Sequence, residues 1–226
     1  MKLPANVVLM LFRIMIAGGV VGGQTFQGHT VELSQASAAE SADIYISLSV
    51  AGGFPEIRGM NLAGREVSRA GVDSSVGGGF KVGIFPEFTR RALGMELEYF
   101  GTTGKLSALI YQNGGVAQSS SGLAVLNSMI NLVLRPPSGE FRPYGGLGIG
   151  YSGGILHGAN FPGRANQDFD STPAFAYQFM GGLQWEGSGR TFLFAEYKHL
   201  VSTFHWKAVS LDYHANYAVG GIGWNF

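Results

Sequence analysis

The sequence predicts an all-β fold, an eight-stranded antiparallel up-and-down transmembrane β-barrel. Three observations predict it: eight stretches with period-two hydrophobicity, connections that alternate between long and short, and a composition rich in glycine and poor in charge. Of the 226 residues, 36 are glycine, 46% are hydrophobic and only 13% are charged. This composition favours closely packed strands over a helical enzyme.

Each alternating stretch places large apolar residues on one face and glycine, polar or charged residues on the other. In the first stretch, Ile46 and Leu48 oppose Tyr45 and Ser47, because successive side chains of a strand point to opposite faces. The eight stretches are IYISLSVAG, SVGGGFKVGIF, ALGMELEYF, LAVLNSMINLVLR, FRPYGGLGIGY, FAYQFMGGLQWE, TFLFAEYKHLV and the C-terminal YAVGGIGWNF.

The connections between these stretches alternate strictly in length. The long ones are predicted as polar loops at residues 53–73, 102–122, 153–173 and 202–213. The short ones are predicted as turns at residues 86–90, 136–140 and 187–190. Long loops at one end and tight turns at the other are typical of transmembrane barrels, whereas soluble sandwiches show no such regularity.

The apolar face is expected to point outward into lipid. A closed sheet satisfies every backbone hydrogen bond, which hydrocarbon requires. The alternative is a soluble barrel of the lipocalin kind, which would turn its apolar face inward. Glycines on the polar face are expected to relieve crowding in a narrow interior. Aromatic residues near the strand ends are expected to form interfacial girdles: Phe85, Tyr99, Tyr151, Phe175, Trp185, Trp224 and Phe226.

The first residues differ in composition from the rest. Residues 1–23 combine Lys2 with a short apolar core and small residues after it, which predicts a cleaved signal peptide. Cleavage could follow Gly23, or come as late as Ala38, and an uncleaved anchor helix is the alternative. Residues 24–42 are then expected to form a flexible segment, and residues 43–226 the barrel.

Eight charged residues fall on the polar, inward-pointing faces. They comprise four bases and four acids: Lys81, Glu96, Glu98, Arg135, Arg142, Glu186, Glu196 and Lys198. Buried charges are tolerated when they are paired, so the set predicts an ion-pair network that plugs the lumen. The functional alternative is a narrow gated pore in which these pairs exchange partners.

No catalytic, cofactor or metal site is expected. The GGLGIG stretch at residues 145–150 lacks the strand-then-helix context of a nucleotide-binding loop. His199, His205 and His214, with Ser202 and Asp212, are interpreted as interfacial and loop residues rather than a hydrolase or metal site. The absence of cysteine excludes disulfides and thiolate ligands, and fifteen basic residues balance fifteen acidic ones, so charge gives no reason to expect nucleic acid.

The stretches GGIGWNF, RPYGGLGIGY, GMELEY and FAEYKH resemble the small OmpA/OmpX-type outer-membrane barrels of Gram-negative bacteria, in the superfamily that includes bacterial surface antigens. The resemblance implies a monomer exported to the outer membrane, without catalysis, that serves membrane integrity, adhesion or resistance to host defence. It implies contact with lipopolysaccharide and other outer-membrane lipids, and a host or surface ligand bound by the long loops. It also implies that Gly221, Trp224 and Phe226 form a C-terminal signal for the assembly machinery. The alternatives are a narrow channel and a lipid-modifying enzyme.

Overall fold

The computed structural model describes residues 42–62, 65–67, 69–112, 115–158, 169–187, 189–207 and 209–226. The predicted signal peptide of residues 1–23 and nearly all of the segment 24–42 lie outside these ranges. No helix in the described part of the chain is long and apolar enough to cross a membrane.

Within these ranges, eight long strands and two short ones make up the sheet. The long strands are β1 (Asp43–Leu62), β4 (Ser75–Phe85), β5 (Leu93–Gln112), β6 (Gly115–Leu134), β7 (Phe141–His157), β8 (Phe169–Glu186), β9 (Thr191–His205) and β10 (Val209–Asn225). The short strands β2 (Arg65–Glu66) and β3 (Arg69–Val72) lie between β1 and β4, and a 3-10 helix spans Glu87–Thr89.

The long strands form a closed antiparallel ring. Each pairs with the next along the chain, and β10 returns to pair with β1, from Tyr45 opposite Asn225 to Leu62 opposite Val209. Because the ring leaves no long strand unpaired at the turn end, the predicted eight-stranded up-and-down barrel is confirmed.

We call the two ends of the barrel the turn end and the loop end. The turn end carries the three short connections between β4 and β5, β6 and β7, and β8 and β9, together with the C-terminus. Gly139 and Gly189 adopt positive φ angles of 128° and 87° there, which only glycine adopts without strain. The loop end carries the other connections.

The outer face near the turn end is apolar, as predicted. Leu132 and Phe226 each expose about half of their surface, at 50% and 53%. The large exposed side chains on this face include Leu48, Leu126, Ile130, Leu147, Ile149, Tyr151, Phe175, Phe179, Trp185 and Trp224. This band is the surface that hydrocarbon covers.

Inward-facing glycines lie against interior aromatic rings. A Cβ added at Gly94 would lie 2.5 Å from the Phe85 ring, and one at Gly182 would lie 2.6 Å from Tyr144. Backbone carbonyl oxygens lie as close, Ile84 at 2.7 Å and Ala195 at 2.6 Å, so neither position admits a larger residue without a backbone shift. This agrees with the expected relief of crowding.

One predicted girdle aromatic is wrong. Phe85 is only 2% exposed and points into the lumen, where the Arg135 guanidinium carbon lies 3.7 Å from its ring centroid. Ile84 occupies the outward position before it, so the alternation continues unbroken to the end of β4. The size of Phe85 suggested an interfacial residue, but strand periodicity decides its direction.

The four predicted long loops are also wrong in extent. Strands β5 and β6 continue to Gln112 and from Gly115, so most of residues 102–122 forms a hairpin rather than a loop. The other three pairs likewise extend well past the apolar band. The physical reason is that the extensions bury apolar side chains inside the ring, including Leu106, Leu123, Leu156, Phe204 and Leu211.

Candidate functional site

The barrel interior holds a cluster of five buried charges, which we call the central charge group. It consists of Lys81 from β4, Glu96 and Glu98 from β5, and Glu196 and Lys198 from β9. Each is at most 5% exposed. All five alternate with lipid-facing residues on their strands, so period-two geometry directs them inward.

Two ammonium groups hold the three carboxylates together. Lys81 Nζ lies 2.7 Å from Glu196, 3.5 Å from Glu96 and 3.8 Å from Glu98. Lys198 Nζ lies 3.1 Å from Glu196 and also pairs directly with Glu98. Glu196 and Glu98 each contact both lysines, which makes the five groups one connected network rather than separate pairs.

Neutral side chains donate the remaining hydrogen bonds to these carboxylates. Asn131 Nδ2 donates to Glu96 at 2.7 Å and to Glu98 at 3.1 Å, and Gln178 Nε2 donates to Glu98 at 2.9 Å. Tyr144 donates to Glu196 at 2.8 Å, and Tyr45 donates to Glu96. Three buried carboxylates against two ammonium groups need these donors, because each unpaired oxygen in a low-dielectric interior is costly.

A second set, the terminal charge group, lies at the turn end. Arg135 Nη2 lies 2.9 Å from Asp43, and Arg142 Nη1 lies 3.2 Å from Glu186. Gln184 joins the two pairs, because it accepts from Arg135 at 3.1 Å and donates to Glu186 at 2.7 Å. Water reaches this group in part, since the Asp43 side chain is 27% exposed.

The structure therefore divides the predicted eight-residue set into two. Lys81, Glu96, Glu98, Glu196 and Lys198 meet near the middle, while Arg135, Arg142 and Glu186 meet at the turn end. The central charge group has two bases and three acids, and the terminal charge group is balanced once Asp43, the acid that sequence reasoning missed, is counted. Its signal was present, because continuing the alternation of Tyr45 and Ser47 one step back places residue 43 inside.

A small cavity with both polar and apolar lining residues lies between the two charge groups. Its volume is about 20 Å³, and its polar lining comes from Ser47, Lys81, Glu96, Arg135, Tyr144 and Gln184, besides Tyr45. Ser47 Oγ and Arg135 Nε are buried and have no hydrogen-bond partner among the described residues. Phe85, Val133, Phe192 and Phe194 complete the wall.

Above the central charge group the lumen becomes mainly apolar, although Asn127, Ser152 and Ser202 are also buried there. We call this region the apolar tier; its fully buried members include Leu106, Leu123, Val125, Leu156, Leu200, Phe204, Leu211, Tyr213 and Tyr217. Trp206 closes it, donating from Nε1 to the Gly154 carbonyl oxygen at 3.1 Å. These described side chains pack inside the ring as in the core of a soluble protein.

The Ser–His pair considered for an enzyme is not formed. Ser202 points inward and donates to the Phe175 carbonyl oxygen at 3.1 Å, whereas His199 points outward with Nδ1 2.8 Å from Asn216. His214 lies beside His199, with ring centroids 5.8 Å apart. Among the described residues, no three His, Asp or Glu side chains lie close enough to hold a metal ion.

The predicted C-terminal signal residues occupy both faces of β10. Gly221 lies inside, where an added Cβ would come within 2.6 Å of the Phe194 ring. Trp224 and Phe226 are exposed on the outer face, and the Phe226 amide donates to the Ile44 carbonyl oxygen at 2.9 Å. The terminal residue is thus part of the ring closure, while its role in assembly stays a prediction.

Comparison with known proteins identifies related barrels. A family model described as an outer membrane protein beta-barrel domain matches residues 30–226. The outer membrane protein OprG from Pseudomonas aeruginosa superposes with a TM-score of 0.60 at 16% identity, covering 82% of this chain and 96% of that one. Neisserial surface protein A gives a TM-score of 0.52 at 10% identity, covering 81% and 97%. No curated protein sequence matched.

Proposed function

The chain belongs to the outer membrane protein beta-barrel domain family, and from that premise we propose a closed, non-catalytic barrel with a structural or surface-interaction role. Membership of this family supports a location in the outer membrane of a Gram-negative bacterium. Such barrels include porin-like proteins and adhesins, so the fold alone does not select among these activities. The contents of the lumen are the feature that separates them.

The filled lumen is the observation that carries the proposal. Lys81 and Lys198 bind the three carboxylates of the central charge group, and the apolar tier lies directly above that group. An eight-stranded ring is just wide enough for its side chains to fill. A solute crossing this lumen would have to break a buried charge network and then displace packed leucine and aromatic side chains.

The proposal includes export and assembly. Residues 1–23 act as a cleaved signal peptide, and the barrel is a monomer surrounded by outer-membrane lipids and lipopolysaccharide. Gly221, Trp224 and Phe226 present the last strand to the assembly machinery. Surface ligands, including host molecules in adhesion or defence, would meet the loop end, since binding residues commonly lie on segments carried by a rigid scaffold.

The orientation follows from the same premise, with the turn end in the periplasm and the loop end outside. Cysteine at Ser210, in the loop-end part of β10, is expected to react with a membrane-impermeant maleimide on intact cells. Cysteine at Ser138, in a short turn, is expected to react only after the outer membrane is opened. Because the native chain has no cysteine, each label reports one position. Reversed labelling would contradict the orientation.

Conductance of the purified, refolded protein in planar bilayers tests closure. We expect no stepwise ion currents from the native protein, because the charges in its lumen are paired and the apolar tier fills the lumen of the loop-end half. A variant with the apolar tier opened, Phe204→Ser together with Leu156→Ser, serves as the comparison. Steady native conductance would instead support the alternative of a narrow channel.

The cavity between the two charge groups is the observation that favours that alternative. It shows that side chains do not fill the interior completely, and Arg135 and Gln184 of the terminal charge group line it. An enzyme acting on membrane lipids has less support, because Ser202 and His199 lie on opposite faces of β9.

A further inference from the structure

The cavity between the two charge groups has the features of a solvent site. Buried polar atoms normally have hydrogen-bond partners, and the exceptions point to a bound solvent molecule or ion. Here two such atoms, Ser47 Oγ and Arg135 Nε, belong to residues that line the same space. Ser47 is 1% exposed and Arg135 is 4% exposed, so bulk water does not satisfy them directly.

The size and polarity of this space suit water. A cavity of about 20 Å³ exceeds the roughly 10–15 Å³ that one water molecule needs. Ser47 and Arg135 supply a hydroxyl and an N–H group, and Lys81, Tyr144 and Gln184 add further polar groups. The interior as a whole holds more carboxylates than cations, which disfavours a buried anion.

Access to this space is one-sided. Toward the turn end it adjoins the terminal charge group, whose Asp43 and Glu186 side chains are partly exposed to solvent. Toward the loop end the central charge group and then the apolar tier lie in the way, with side chains such as Leu156 and Leu200 fully buried.

We propose that this cavity binds water that enters from the turn end, and that the central charge group is the inner limit of water in the lumen. The bound water joins Ser47 to Arg135 and links the terminal charge group to the central one. Water-sized species therefore reach the carboxylate network from the periplasmic side and stop there. The inference deepens the proposed closed barrel and rests on it for the seal at the loop end.

Single-cysteine variants and aqueous silver ion, a thiol reagent close to water in size, test the proposal. Ser47→Cys places a thiol at the cavity, and Thr102→Cys places one above the central charge group at a site that is also buried. We expect Ser47→Cys to react, and Thr102→Cys to react about 100-fold more slowly, through local opening only. Far-UV circular dichroism confirms that each variant is folded.

The outcomes separate the solvent site from closure of the barrel. Slow reaction at both positions would overturn the solvent site, even if the barrel does not conduct. Rapid reaction at both would overturn the central charge group as the inner limit of water. Bilayer conductance tests closure independently, so failure of the solvent site and failure of the closed barrel give different results.

A second variant distinguishes bound water from an empty space. Ser47→Val adds volume and removes the hydroxyl. If the cavity holds water, valine displaces it, leaves Arg135 Nε unpartnered and lowers the midpoint of thermal unfolding. If the space is empty, valine fills it and raises the midpoint, which would overturn the proposal. Ser47→Ala, which removes the hydroxyl without filling the space, is the matched control.

Discussion

The two halves of the barrel bury opposite kinds of side chain. Near the turn end the outer face is apolar and the lumen holds the charge groups, whereas near the loop end the lumen is mainly apolar and the outer face mainly polar. On β5, Leu97 faces outward below the boundary, while above it Leu106 faces inward and Lys105 outward. The reversal shows where the surroundings of the barrel change from lipid to water, because apolar side chains are disfavoured on a face that contacts water.

The difference also assigns the two halves different sources of stability. In the turn-end half, stability depends on pairing each buried charge, because an unpaired one is costly in a low-dielectric interior. In the loop-end half it depends on packing, as in the core of a soluble protein. Substitutions in the two halves should therefore lower stability for different reasons.

The largest effect is expected from removing one cation of the central charge group. Lys81→Met leaves Glu96, Glu98 and Glu196 with only Lys198, and should lower the free energy of unfolding by about 3–5 kcal/mol. Urea titration in lipid vesicles measures it. Lys105→Met, at an exposed position on β5, is the control and should change little.

Restoring the balance tests whether that loss comes from charge pairing. Lys81→Met combined with Glu196→Gln should recover part of the loss, because the 2.7 Å pair is removed as a unit. A coupling energy close to zero in this double-mutant cycle, and in the matching cycle of Lys198 with Glu98, would end the charge-network explanation.

A cavity in the apolar tier should cost slightly less. Leu156→Ala removes a fully buried side chain and should lower the free energy of unfolding by about 2–5 kcal/mol. Leu147→Ala, on the same strand but facing lipid, should have a clearly smaller effect in the same titration. Equal losses would mean that the loop-end interior is not packed as a core.

The lipid-facing band should reject charge. Leu132→Arg should destabilise the barrel by about 2–4 kcal/mol if Leu132 lies near the bilayer midplane, measured by the same urea titration.

The neighbouring inward residue Asn131 is not a neutral control, because its amide donates to both Glu96 and Glu98. Asn131→Ser should therefore cost about 1–3 kcal/mol, and a negligible effect would contradict these hydrogen bonds.

The smallest effect is expected at the terminal charge group. Glu186→Gln removes one acid of a partly hydrated pair with Arg142, and should cost about 1 kcal/mol or less. Adding salt should reduce that difference further, since solvent-accessible pairs are screened. A loss as large as that of Lys81→Met would mean that the turn end is as dry as the centre.

Much of the fold could be predicted from local sequence pattern. The strand number, the antiparallel order, the short turns and the direction of nearly every side chain near the turn end follow from period-two alternation. The extensions were misread as loops because their outward residues are polar and glycine-rich. Their signal was a change in which positions are apolar: on β10, Trp224 and Ile222 lie on the even positions, and Tyr213 and Leu211 on the odd ones.

The sequence by itself determined that Lys81, Glu96, Glu98, Glu196 and Lys198 point inward, since direction along a strand depends only on position. Only the tertiary structure decided which of them meet. Lys81 and Glu196 are separated by 115 residues, and they come together because ring closure and the stagger between strands set both at one height. The same stagger places Arg135 beside Asp43 at the turn end, away from the central charge group. Alternation is a local property of the chain, whereas height in the barrel is a property of the whole ring.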